Sequence, residues 1–125
     1  MHPSWWTRTS RPDGLRPPDS WWRFYDSDAV LWGTVSPSIR DTRQAIQEYF
    51  DFLRTAPTAY KIVLGEQRVR VYGDVGINTG TYTVSLVRDG KPVTIPARFS
   101  FVDRNNNGRW MIVDHHSSAM PAPPQ

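Results

Sequence analysis

The sequence predicts an α+β domain in which a curved, cone-shaped antiparallel β-sheet wraps around one helix. Residues 41–54 carry apolar side chains at three- and four-residue intervals, which is the period of an amphipathic helix. Beyond Pro57, apolar and polar residues alternate in four long segments that short turn sequences separate, as in an antiparallel meander. Because a curved sheet packed on a helix leaves space between the two layers, we expect a conical cavity there.

The helix has a clear apolar stripe and recognisable ends. Asp41 and Gln44 resemble a capping box, and Pro57 follows the last apolar residue of the stripe. The stripe consists of Ala45, Ile46, Tyr49, Phe50 and Leu53. Before the helix, the sequence predicts a short helical turn over residues 21–26 and a buried strand over residues 29–32.

The four downstream strands are predicted at residues 60–72, 75–87, 93–103 and 109–118. Gly73 lies in the first turn, Asp89 and Gly90 in the second, and Asn107 and Gly108 in the third. These residue types tolerate the positive φ angles of tight hairpins. The strands therefore follow one another as neighbours in the sheet.

The chain divides into three predicted parts. With 125 residues it has room for one domain of ordinary size. Residues 1–20 combine prolines and tryptophans with polar residues and predict an irregular arm. Residues 21–121 form the single domain, and residues 122–125 are predicted to be a disordered tail.

Composition argues against several classes of function. Cysteine is absent, and the net charge of +3 comes from basic residues dispersed among acidic ones, so we expect no nucleic-acid partner. No apolar run approaches the roughly 18 residues of a membrane span, so we expect a cytoplasmic protein without a membrane partner. His115 and His116 are adjacent in a strand and face opposite ways, so we expect neither a metal site nor another cofactor.

The last strand begins apolar and ends in imidazoles and hydroxyls. Strict alternation places two sets of side chains on opposite faces: Trp110, Ile112, Asp114, His116 and Ser118 on one, and Met111, Val113, His115 and Ser117 on the other. Either His-x-Ser pair can therefore point into the cavity, and alternation does not choose between them. A carboxylate for acid-base chemistry on a larger apolar molecule would come from Asp114.

Four other polar residues are candidates for a site. Tyr49 lies on the buried helix stripe, where its ring packs and its hydroxyl needs a partner. Thr34 follows a buried strand at a Gly-Thr break, where its hydroxyl either faces the cavity or caps a turn. Arg98 lies among aromatic residues and either faces water or presents its guanidinium to an anion, and Arg40 is a further candidate of this kind.

Several motifs resemble those of the association-domain family of calcium/calmodulin-dependent protein kinase II, and more closely the iota-class carbonic anhydrases that share its fold. The resemblance spans about residues 26 to 121, and its most specific motif is the terminal His-His-Ser-Ser-Ala-Met-Pro. The matching segments are residues 28–36, Arg40, and residues 48–50, 80–83, 97–102 and 110–121.

The resemblance implies a nuclear-transport-factor-2-like cone that assembles as a homodimer or larger homo-oligomer. It further implies a metal-free pocket in which threonine, tyrosine and serine hydroxyls hold bicarbonate. These positions fall on Thr34, Tyr49 and Ser118, with His116 on the same face as Ser118. Ser117 and His115 form the alternative pair. Substrate contacts are expected from Ser117, His115, Arg98 and Arg40.

Two functions are therefore expected from the sequence. The first is a metal-independent, carbonic anhydrase-like enzyme that reversibly hydrates CO2 to bicarbonate. The second is a non-catalytic domain that oligomerises or binds a small ligand. One departure bears on the pocket, because the family tends to have Leu-Pro where this chain has Trp32-Gly33, next to the threonine.

Overall fold

A computed structural model describes residues 21–54 and 61–123. The predicted arm of residues 1–20 and the last two residues of the predicted tail lie outside the described residues. The first half of the described chain contains a 3-10 helix (Trp21–Phe24), strand β1 (Tyr25–Trp32) and helix α1 (Arg43–Arg54). Four strands follow: β2 (Lys61–Tyr72), β3 (Val75–Arg88), β4 (Lys91–Asn106) and β5 (Arg109–Ala119).

The five strands form one sheet in the order β1-β5-β4-β3-β2. Strands β2 to β5 pair as the predicted antiparallel meander. Strand β1 is longer than predicted and pairs with β5 in parallel, which a meander alone does not predict. Since β1 and β2 lie on opposite edges, the segment that contains α1 carries the chain across the sheet.

The N-cap of helix α1 lies one residue later than predicted, and the helix begins at Arg43. The Thr42 side-chain oxygen accepts a hydrogen bond from the Ala45 backbone N–H at 3.1 Å, and the Thr42 carbonyl accepts the Ile46 N–H at 3.0 Å. Thr42, and not Asp41, is therefore the N-cap residue. Within residues 21–54 and 61–123, no helix is long and apolar enough to cross a membrane.

The core lies between α1 and the concave face of the sheet. Leu31, Ile46 and Ile112 are its least exposed large apolar side chains. The buried apolar residues are Tyr25, Ala29, Leu31, Ile46, Tyr49, Phe50, Ile62, Tyr82, Ala97, Phe99, Phe101 and Ile112. Burial of each large side chain contributes about 1.5 to 3 kcal/mol, so this layer fixes the strands that carry the polar groups described below.

A β-bulge in β5 changes which side chains face the core. Val102 pairs with Asp114, but the next residue of β4, Asp103, pairs with Ile112, so Val113 has no partner of its own. An extra residue shifts the alternation by one position. As a result, Ile112 and His115 are buried on the same side, whereas Asp114 is exposed.

Candidate functional site

Three hydroxyl-bearing side chains meet on the concave face of the sheet and a fourth, Tyr49, lies near one of them, Tyr82. We call the four the hydroxyl cluster: Thr34, Tyr49, Tyr82 and Ser117. Thr34 Oγ1 donates to Ser117 Oγ at 2.8 Å and lies 3.4 Å from the Tyr82 hydroxyl. The Tyr82 hydroxyl also hydrogen-bonds to Ser117. The three groups come from the segment after β1, from β3 and from β5, so the fold and not sequence proximity brings them together.

Strand register explains the meeting of Tyr82 and Ser117. Tyr82 pairs with Ala97 of β4, and Ser117 pairs with Phe99, two residues along the same strand. Ala97 is fully buried and has only a methyl side chain. The small residue leaves room on the concave face for the Tyr82 hydroxyl to reach across β4 towards β5.

Tyr49 reaches the cluster from α1 because Gly33 has no side chain. A Cβ atom at Gly33 would overlap the hydroxyl end of the Tyr49 ring. The Val35 backbone N–H hydrogen-bonds to the Tyr49 hydroxyl. The Gly33 position, at which this chain departs from the expected Leu-Pro, is therefore shaped to receive the tyrosine.

Arg40 holds the segment around Tyr49. Its Nη1 donates to the Ala45 carbonyl at 2.7 Å and its Nε donates to Ser36 Oγ at 3.3 Å. The guanidinium carbon lies 5.5 Å from the centre of the Tyr49 ring, within cation-π range. These contacts use Nε and Nη1 and hold the guanidinium beside the Tyr49 ring.

Both tyrosines of the cluster remain protonated near neutral pH. Burial raises the pKa of Tyr49, and the nearby Tyr82 raises it further, while the Val35 N–H and the Arg40 charge oppose part of the shift. Burial also raises the pKa of Tyr82, against hydrogen bonds from Ser117 and Thr34. The cluster is therefore a set of neutral hydroxyls that can each donate and accept hydrogen bonds.

His115 lies two residues before Ser117 on the same face of β5. Its Nδ1 is 2.7 Å from the Tyr25 hydroxyl, and its ring stacks on Phe101 with ring centres 3.9 Å apart. Nε2 is buried and has no hydrogen-bond partner. Burial, with a smaller effect from the neighbouring His116, lowers the pKa of His115 to about 3, so the imidazole is uncharged at neutral pH.

The opposite face of β5 carries the pair that the resemblance favoured. His116 is exposed and packs against Trp32 with ring centres 6.0 Å apart. Ser118 accepts a hydrogen bond from Arg98 Nε at 3.3 Å, and Arg98 is exposed. The structure therefore places His116 and Ser118 on the face away from the hydroxyl cluster, whereas the alternative pair, His115 and Ser117, faces inward beyond the bulge at Val113.

Three inward-facing residues were not predicted as site residues. Tyr82 was detectable, since it lies in the Gly-Thr-Tyr-Thr motif of a strand with clear alternation. Tyr25 precedes the predicted strand, and no sequence pattern marked it as a site residue. Asp103, and not the exposed Asp114, supplies the carboxyl group on the buried side of the sheet.

Among the residues that the structure describes, no three His, Asp or Glu side chains are grouped as a metal site requires.

Comparison with known proteins identifies the family. Residues 16–121 match the calcium/calmodulin-dependent protein kinase II association domain. A structure from Xanthomonas campestris, described as such an association domain, is 36% identical, with 84% of this chain and 75% of that chain covered and a TM-score of 0.75. A search of the curated proteins gives no match.

More distant structures share the fold. The hub of calcium/calmodulin-dependent protein kinase II from S. rosetta is 21% identical, with 82% of this chain and 83% of that chain covered and a TM-score of 0.70. An NTF2-like protein with a cystatin-like fold from Novosphingobium aromaticivorans is 17% identical, with 84% and 70% covered and a TM-score of 0.68. The fold is thus nuclear-transport-factor-2-like, and the chain belongs to the family of the calcium/calmodulin-dependent protein kinase II association domain.

Proposed function

We propose that the hydroxyl cluster binds a small oxyanion of the bicarbonate type, and that the protein is a metal-independent, carbonic anhydrase-like enzyme that reversibly hydrates CO2. One observation carries the proposal: Thr34, Ser117 and Tyr82 come from three elements and lie within hydrogen-bond reach of one another on the concave face. Neutral hydroxyls can turn their protons from one another towards an anion, and a planar three-oxygen anion offers an acceptor to each of them.

The chemical role of the cluster is to stabilise negative charge as it forms. In CO2 hydration, the oxygen of water bonds to carbon while one C=O π bond becomes a C–O⁻ group, and a proton leaves the water. Donors aimed at the developing charge lower the barrier, and one such donor contributes about 10²- to 10³-fold in rate. Tyr49 and Tyr82 are suited to this role because their raised pKa values keep their protons in place.

His115, and not His116, is the imidazole on the same face of β5 as Ser117. Its buried Nε2 is unpartnered and it lies beside Ser117 on the same face, so it is the imidazole available to orient the attacking water. Its pKa of about 3 belongs to the pocket without an anion. A bicarbonate ion nearby raises the pKa of an imidazole, which lets His115 accept the proton as the anion forms and pass it to solvent.

The test is stopped-flow CO2 hydration by protein treated with a chelator, with Thr34→Val as the variant and Thr79→Val as its matched control. Thr79 lies on β3 and is exposed. We expect chelator-resistant activity that falls about 100-fold in Thr34→Val and is unchanged in Thr79→Val. Absence of activity above buffer, from protein shown to be folded, would contradict the proposal.

The second candidate is a non-catalytic domain that oligomerises or binds a small ligand. It is favoured by the family match and by the similarity to the S. rosetta hub, a class of domain whose homologues form homo-oligomers. Sedimentation velocity at several protein concentrations tests the oligomerisation. A homodimer or larger assembly supports this candidate, and it becomes the preferred function if the CO2 assay is negative.

A further inference from the structure

A second polar group lies on the concave face, away from the hydroxyl cluster, and we call it the acceptor pair: Asp103 of β4 and Asn78 of β3. Asp103 is 0% exposed and Asn78 is 2% exposed. Neither carboxylate oxygen of Asp103 has a hydrogen-bond partner, and neither has Asn78 Oδ1. Three buried acceptors are thus left without a donor, whereas most buried polar atoms in folded proteins have one.

The register of the sheet places the pair side by side. Asp103 pairs with Gly76, and Asn78 pairs with Phe101, so the two polar residues are diagonal neighbours across β3 and β4. Such neighbours lie about 7 to 8 Å apart at their Cα atoms, close enough for one small group to contact both side chains.

The residues that pair with Asp103 across the sheet supply no side-chain donor. Gly76 has no side chain and the other cross-strand neighbour of Asp103, Ile112, is apolar. One N–H of the Asn78 amide donates to Gln67 Oε1 at 3.1 Å, and no hydrogen bond joins this amide to Asp103. A buried carboxylate without a partner costs several kcal/mol, and an apolar residue of the same volume would avoid that cost.

We propose that the acceptor pair is a binding site for the guanidinium or primary ammonium head of a small organic cation. Such a head carries several N–H donors and a positive charge, which match three acceptors and one carboxylate. An anion is excluded by charge, and a neutral acceptor offers no hydrogen bond. The site is separate from the hydroxyl cluster, because the paired residues Phe101 and His115 lie between Asp103 and the row that contains Ser117.

Binding to the acceptor pair requires the Trp110 side chain, which lies next to it, to move. The benzo edge of the Trp110 indole lies 3.5 Å from the point that a Cβ on Gly76 would occupy, next to Asp103. Trp110 is only partly buried and stands near the end of the sheet, one residue inside β5. A change in its rotamer can therefore make room for a head group without breaking strand pairing.

The experiment is an NMR titration of the protein with methylguanidinium, with N-methylurea as a neutral probe of the same shape. We expect methylguanidinium to shift the backbone amides of residues 76–80, 101–105 and 110–113 in a saturable manner, with a Kd on the order of 1 mM, while N-methylurea does not. Asp103→Asn should weaken binding at least about tenfold. Asp114→Asn, a change at an exposed carboxylate, should leave it unchanged.

The pH dependence provides a second readout. Burial raises the pKa of Asp103 to about 7, and a cation binds its ionised form. The affinity should therefore rise about tenfold per pH unit between pH 5 and 6 and level off above pH 7. Two results would overturn the proposal: no saturable shifts in wild type, or equal shifts in Asp103→Asn protein whose thermal unfolding transition shows that it is folded. Asp103 would then be a carboxylic acid that shares its proton with Asn78.

Discussion

The hydroxyl cluster and the acceptor pair share one concave face but satisfy their hydrogen bonds in opposite ways. Hydroxyls donate and accept, so Thr34 and Ser117 pair with each other at 2.8 Å. Asp103 and the free Asn78 oxygen only accept, and both remain without a partner. The hydroxyl cluster is therefore stable without a ligand, and its hydroxyl protons can still turn towards one. The acceptor pair is stable only when Asp103 is protonated or when a bound group donates hydrogen bonds to it.

The largest effect is expected where the acceptor pair loses its charge. Burial raises the pKa of Asp103 from 3.8 to about 7 in the folded chain. Below pH 4 both states are protonated, and between pH 4 and 7 the unfolded state loses its proton first, so the free energy of unfolding falls as the pH rises. Asp103→Asn removes this penalty and should stabilise the protein by about 4 kcal/mol at pH 8, with little effect at pH 4.

Urea unfolding of wild type and Asp103→Asn at both pH values measures this difference. Asp114→Asn is the control on an exposed carboxylate and should follow wild type. A destabilised Asp103→Asn protein at pH 8 would show that the carboxylate is paired in solution and would remove the contrast between the two regions.

The next effect concerns the close approach of Tyr49 to Gly33. A methyl group at Gly33 overlaps the Tyr49 hydroxyl end, so Gly33→Ala should displace the ring and destabilise the fold by about 1 to 3 kcal/mol. It should also reduce any CO2 hydration activity. Gly76→Ala is the matched control, because its Cβ would meet only ordinary contacts. Equal stability of the two variants by thermal unfolding would contradict the described position of Tyr49.

A smaller loss is expected from the contact that holds His115. Tyr25→Phe removes the hydroxyl at 2.7 Å from Nδ1 and leaves that nitrogen buried without this partner. We expect a cost of about 1 to 2 kcal/mol in unfolding free energy. Tyr72→Phe changes an exposed tyrosine and should cost nothing measurable by the same assay. A neutral result for Tyr25→Phe would mean that His115 is free to turn.

The smallest effect is expected on the outer face of the sheet. Arg98 is exposed and donates to Ser118, and exposed polar pairs contribute about 0 to 1 kcal/mol. Arg98→Ala should therefore change the free energy of unfolding by less than about 0.5 kcal/mol. The rate of CO2 hydration should change by less than about twofold. A large loss of activity in Arg98→Ala would indicate that the site lies on the opposite face, which carries His116 and Ser118.

The sequence predicted the helix and the meander because each has a strong local pattern, and the cone followed from packing the one on the other. The turns at Asp89-Gly90 and Asn107-Gly108 have the positive φ angles expected of them. The parallel pairing of β1 with β5 was not predictable, because it depends on the path of the chain between β1 and β2 and not on any pattern within β1.

Of the residues in the hydroxyl cluster, the sequence had named Thr34, Tyr49 and one or other serine of the last strand by residue type, but it could not choose the face of that strand. Met111, Ile112 and Val113 are all apolar, so no change in their pattern marks the bulge. Asp103 was missed because the segment Phe-Val-Asp-Arg-Asn-Asn-Asn-Gly is typical of a strand ending in a turn. In the structure β4 continues to Asn106, which keeps Asp103 inside.

The most direct test of the account compares two adjacent serines, Ser117 and Ser118. Ser117 is buried in the hydroxyl cluster, and Ser118 contacts Arg98 on the other face. The measurement is CO2 hydration by chelator-treated Ser117→Ala and Ser118→Ala proteins of equal thermal stability. We expect a loss of about 100-fold in Ser117→Ala and no change in Ser118→Ala. The reverse order, or equal activity in both, would contradict it.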